Sequence, residues 1–154
     1  MENKLNTLLG GFDNDIIKPI KTTGVNVTIS KLNPDKIASI LFYLHNTAHS
    51  LHLATTSYSK HKMLDDLYNK LIDFKDVISE YLLGIQAPKR LKIKNYKEIP
   101  DYSDKIVASF LQEGFDFTVE LCEYSDLQKL EELCNYSADL QGVFAKAIYL
   151  NTLS

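Results

Sequence analysis

Apolar residues recur along this chain at steps of three and four, the period of a buried helix face, and four such stretches stand out. The first opens at Asn33-Pro34-Asp35. Asparagine caps a helix, proline suits its first position, and aspartate complements the positive end of the helix dipole. Ile37, Ile40, Leu41, Leu44, Ala48 and Leu51 then form a stripe, which predicts a helix to about residue 56. A second start falls at Ser57, with Ser59 as an alternative cap. Leu64, Leu67, Leu71, Phe74, Ile78 and Tyr81 make a bundle-type seam behind it, and Gly84 is the expected stop. Residues 85–100 hold Pro88, Pro100 and an alternating Lys-Leu-Lys-Ile-Lys run, and read as a long crossover with an extended piece.

A third helix is expected over 102–124, carrying Ile106, Phe110, Phe117 and Leu121. Gly114 inside it costs about 1 kcal/mol relative to alanine and allows either close packing or a bend. Ser125-Asp126 is expected to end it and cap a fourth helix over 126–152, with Leu127, Leu130, Cys134, Ala138, Ala145 and Ile148 facing inward. Residues 1–30 lack helical periodicity and read as an extended arm. The fold expected is all-α: residues 31–154 form a four-helix bundle of two hairpins joined by one long crossover, the connectivity of ferritin-like bundles.

Composition narrows the function. The net charge of −3 argues against a chain whose main work is coating nucleic acid. The basic stretch Lys89, Arg90, Lys92, Lys94 and Lys97 reads as a solvated loop, with an anion contact as the alternative. No apolar run is long enough to span a membrane, and the first residues do not read as a signal peptide, so a cytoplasmic protein is expected. Cys122 and Cys134 form no metal-ligand pair by spacing and read as buried free thiols.

Candidate chemistry lies on the first two helices. His45, His49 and His52 share one side of the first, at steps of four and three. On the second, His61 and Asp65 are one turn apart, as are Asp76 and Glu80. All four cluster on the side nearly opposite the Leu64–Tyr81 seam, together with the apolar Tyr68, Ile72 and Leu83. Such a face points away from its own core, yet it carries enough apolar surface to favour burial against a second copy. Asp65 and Asp76 are separated by about 16 Å along a straight helix, far beyond the reach of one ion. A two-fold axis near Ile72 would bring His61 and Asp65 of one chain to Asp76 and Glu80 of its mate, giving two equivalent sites per homodimer.

The series His49, His61, Asp65, Asp76, Glu80, with steps of twelve, four, eleven and four, resembles the ferroxidase signature of the Dps mini-ferritins. The resemblance covers residues 34–84. It implies that His49, His61 and Asp65 form one half-site, that Asp76 and Glu80 of a mate form the other, and that iron is bound and oxidised there. His45 and His52 are read as supporting the ligands from behind or lining the interface, with direct ligation as the alternative. Tyr58 and Tyr68 would be packing aromatics or electron-transfer neighbours. Imidazole and carboxylate also suit zinc or manganese.

Three features depart from that family: Ser50 stands where an aromatic is expected, His52-Leu-Ala-Thr-Thr-Ser-Tyr58 replaces a glycine-containing stretch, and no lysine-rich tail opens the chain. In these the sequence is more similar to phage-encoded proteins with a Dps-like core. That likeness implies a host cytoplasm or virion location; the outward face of the second helix asks for a homodimer at minimum, and residues 1–30 read as an arm that docks on another subunit or protein. It also frames the alternative function: a structural or interaction module with a vestigial or structural metal site. Glu-x-x-His, His-Glu-x-x-His and Gly-x-Ser-x-Gly are all absent, which removes a maxi-ferritin di-iron centre, a zincin and a serine hydrolase.

Overall fold

Side-chain capping fixes where three of the four described helices begin. In the computed structural model, which describes residues 32–154, Asn33 accepts a hydrogen bond from the Lys36 backbone N–H at 3.0 Å and opens α1, Pro34–Ala54. The arm expected over residues 1–30 lies outside the described residues. Thr55 turns the chain into extended backbone. Ser57 then caps α2, Tyr58–Ile85, by accepting from the Lys60 N–H. Ser103 does the same for α3, Asp104–Gln128, through the Ile106 N–H at 3.2 Å. The fourth helix, α4, spans Glu131–Asn151.

The helices form two hairpins, α1 with α2 and α3 with α4, and α2 also packs on α4. The connection between the hairpins runs back along α1. The Lys92 N–H donates to Asp35, the Lys94 N–H donates to the Ser39 hydroxyl, and the Tyr96 ring meets Tyr43 edge-on at 5.6 Å. This segment therefore starts beside the beginning of α1 and delivers α3 to the opposite end, parallel to α2. The molecule is thus an all-α four-helix bundle with one long crossover, and no strand occurs among the described residues. The extended piece expected in the crossover pairs with side chains of α1 instead of with another strand.

The predicted stripe of α1 is buried in full, and the α2 seam is buried at Leu64, Leu67, Leu71 and Ile78, with Phe74 and Tyr81 half-buried beside it. Each such Leu or Ile contributes about 1.5–3 kcal/mol of burial. Gly114 serves close packing: the Phe144 ring of α4 occupies the space that a Cβ there would need.

The second hairpin corrects two expectations. The chain does not turn at Ser125-Asp126. Helix α3 continues to Gln128, and Ser125 is buried with its hydroxyl donating to the Leu121 carbonyl within the helix. The turn comes at Lys129, in the left-handed conformation with φ 57°. The Lys129 N–H donates to the Asp126 carbonyl and the Leu130 N–H to the Ser125 carbonyl, which together satisfy two end carbonyls of the helix. A left-handed turn of this kind is usually marked by glycine, and lysine gave no such mark. Shifting the start of α4 moves its buried face by one position. Leu133, Ser137, Leu140, Phe144 and Ala147 point inward, whereas Leu127, Ala138 and Ala145 are exposed and Leu130, Cys134 and Ile148 are half-buried.

Candidate functional site

The tight α1–α2 turn places the last residues of one helix beside the first of the next. His52 and His61, nine residues apart, stack with ring centroids 3.9 Å apart. The His52 Nδ1–H donates to the His61 carbonyl at 3.1 Å, and the His61 Nδ1–H donates to the His52 carbonyl at 3.2 Å. A carbonyl only accepts, so both rings carry their proton on Nδ1 when neutral, and both leave Nε2 as a lone-pair donor. The His52 carbonyl lies in the last turn of α1, where helical partners run out, so the His61 ring also satisfies a helix end.

This end of the bundle is fastened from a second side. The Thr55 hydroxyl pairs with the Tyr102 hydroxyl at 3.0 Å, Tyr102 donates to Asp104, and Lys60 pairs with Asp104 at 2.9 Å. The ammonium of Lys60, with the Tyr102 bond, holds the Asp104 carboxyl below the usual carboxylate range.

From this pair the imidazoles continue along α1. His49 stacks on Tyr68 of α2 at 4.6 Å and lies 6.2 Å from the His52 ring, and His45 follows at 6.4 Å from His49. Tyr68 also meets His52 at 5.2 Å and His45 at 6.3 Å, so it forms the hub of the cluster. The reading of Tyr68 as a packing aromatic describes this contact. His52 is buried against His61, at 8% exposure. His45 donates from Nδ1 to Asn46, while its Nε2 is buried and makes no hydrogen bond within the described residues. Burial, helped by Lys75, lowers the affinity of His45 for a second proton.

Asp65 sits one turn beyond His61 and is half-buried. Lys62 donates to its Oδ2 at 3.0 Å and Asn69 to its Oδ1 at 3.3 Å. The Lys62 ammonium holds its carboxyl below the usual range, and the positive potential of His52 and His61 adds to this. Asp76 and Glu80 are exposed about three and four turns further along the same uninterrupted helix, and no ion pair engages them among the described residues. Half-exposed Ile72 lies between the two pairs, flanked by half-buried Tyr68 and Leu83. Tyr58 is 80% exposed at the start of α2.

One chain thus gathers the histidines and Asp65 at one end of the α1–α2 face and leaves Asp76 and Glu80 at the other. Its imidazole and carboxylate donors do not bring three ligand atoms within 4.8 Å of one another among the described residues. The fixed tautomers of His52 and His61 and the unpaired Nε2 of His45 suit a divalent cation, because ligating imidazoles commonly donate their other N–H to a carbonyl.

The cysteines are free thiols, as the sequence reading has them, but they come together as a pair, which it does not foresee. Cys122 and Cys134 meet across the α3–α4 turn with sulfurs 3.3 Å apart, and both are half-buried. With Asp126 they bring three ligand atoms within 4.8 Å. The adjacent Cys122 thiol, reinforced by burial, pushes the Cys134 thiol up to about 11. Spacing alone could not reveal the pair, because a turn at residue 125 leaves the two sulfurs at different heights; the turn at Lys129 aligns them.

Among the described residues, no helix is long and apolar enough to cross a membrane. No curated protein and no solved structure matches the chain. A family model described as "Family of unknown function (DUF5856)" matches residues 52–150, which include His52, His61, Asp65, Asp76, Glu80 and both cysteines. That match spans well over half of the sequence, and the chain belongs to this family of unknown function.

Proposed function

We propose that this protein is a homo-oligomer, of at least two copies, that binds ferrous iron between subunits and oxidises it. The observation that carries the reading is the layout of α2. His61 and Asp65, and separately Asp76 and Glu80, occupy one outward side of a continuous helix, with half-exposed Ile72 between them. About 16 Å separates Asp65 from Asp76, so the two pairs serve one ion only when two copies run antiparallel. His49 and His61 would supply imidazole nitrogen, and Asp65 with the mate's Asp76 and Glu80 would supply carboxylate oxygen. Carboxylates favour ferric over ferrous iron, which assists the loss of an electron. Two ferrous ions, one hydrogen peroxide and two protons then yield two ferric ions and two waters.

The resemblance to the Dps mini-ferritins supports the same ligand set. His52 is closer to the reacting centre in this reading than the resemblance alone implies, because its ring stacks on His61. The test is iron-dependent consumption of peroxide by the wild type, His61→Ala and Asp76→Ala. Loss in both variants is expected, and equal activity in all three would remove the proposal.

A second reading is a structural or interaction module in which the histidine cluster only fastens the hairpin. The Lys62–Asp65 pair favours it, since it neutralises Asp65 within its own chain. A purified protein that carries no metal and ignores added Fe²⁺ would support this reading.

A further inference from the structure

The α3–α4 turn places two thiols and a carboxylate at the opposite end of the bundle from the histidines. Cys122 and Asp126 are one turn apart on α3, and Cys134 lies in the first turns of α4. Their ligand atoms lie within 4.8 Å of one another, and the two sulfurs are 3.3 Å apart. Asp126 is exposed and the cysteines are half-buried, so an ion has both a solvent route and a partly desolvated seat. The turn is held rigidly: the Lys129 N–H donates to the carbonyl of Asp126 itself, and the Leu130 N–H to that of Ser125. Beneath it, the Ser137 hydroxyl donates to the Thr118 carbonyl at 2.6 Å and ties α4 to α3.

We propose that Cys122, Cys134 and Asp126 form a second metal site, selective for a thiophilic divalent cation of the zinc(II) type and independent of the α1–α2 face. Two thiolates and one carboxylate supply three of the four positions of a tetrahedral ion, and water takes the fourth. Zinc–sulfur bonds of about 2.3 Å place two sulfurs of a tetrahedron about 3.7–3.8 Å apart. The observed pair needs to open by only about half an ångström, within reach of a small rotation of either side chain. The two thiol protons leave to solvent as the cation enters. Softness separates this site from the other: thiolates favour zinc, whereas the imidazole–carboxylate face suits a harder ion. Bound metal would clamp α3 to α4 beside a turn that lacks a glycine.

Cobalt(II) added to the full-length, reduced protein tests this. Thiolate-to-cobalt charge transfer reports sulfur ligation alone, so the histidine face is silent in it. The expected result is one thiolate-bound cobalt per chain, bleached by zinc, unchanged in His61→Ala and lost in Cys122→Ser/Cys134→Ser. Asp126→Asn, at an exposed position, is expected to keep the absorption but weaken binding about tenfold or more, as removal of even supporting groups does at metal sites. Absence of the band in folded, reduced wild type, its survival in the double serine variant, or unchanged affinity in Asp126→Asn would each overturn the proposal. If the double variant fails to fold, the asparagine variant decides alone.

Discussion

His52 and His61 each donate a ring N–H to the other's backbone carbonyl, at 3.1 and 3.2 Å. The exchange joins the last turn of α1 to the first turn of α2 and aims both Nε2 atoms outward from the bonds. His52→Phe keeps the ring volume but removes one donor. It is expected to cost about 1 kcal/mol, the net worth of one hydrogen bond, as read by the urea midpoint. His52→Asn, which retains a donor, is expected to recover part of that loss.

His45 gives a pH dependence. Burial, with the positive potential of Lys75 and His49 adding to it, holds its imidazole below the ordinary value of 6.5, while the Asn46 bond opposes the shift. Protons therefore bind the unfolded chain more readily than the folded one. The stability His45 contributes is intact above 6.5 and is lost as pH falls from that value through the lower folded-state value. Urea midpoints between about pH 7 and pH 5, above the range where carboxylates titrate, are expected to decline less in His45→Gln than in wild type.

Gly114→Ala places a methyl group against the Phe144 ring. The gain in helix propensity is about 1 kcal/mol, but overpacking in a closed core costs about 1–3 kcal/mol and wins when the ring cannot move. A net loss in thermal stability is expected. Gly114→Ala/Phe144→Leu should lose less than the sum of the two single changes, since the smaller side chain vacates the space.

Lys129 holds φ 57° without the freedom of glycine. Lys129→Gly removes a conformational cost of about 1–2 kcal/mol and adds about 0.4–1 kcal/mol of unfolded-chain entropy. A net gain of up to about 1.5 kcal/mol, read from the denaturation midpoint, is expected.

Much of this molecule was legible where chemistry marks it. Asn33-Pro34, Ser57 and the Leu64–Tyr81 seam carried explicit caps and period, and the helices follow them. The α3–α4 turn was misplaced because serine and aspartate imitate a cap, while the true turn uses a lysine whose conformation is set by backbone bonds. That single slip also hid the cysteine pair. The histidines could be placed on a common face from their spacing, but not the reciprocal carbonyl bonds, which depend on the geometry of residues 55–57. The separation of the two acidic clusters was legible, because a helix has a fixed rise per residue.

Complementation tests the shared-site account most directly. His61→Ala and Asp76→Ala chains, each inactive alone, are co-expressed and their ferrous oxidation measured. A mixed dimer rebuilds one intact site of two, and with random pairing half the dimers are mixed, so activity is expected to return to about a quarter of wild type. A mixture as inactive as either parent, in chains shown to exchange, would contradict a site divided between two subunits.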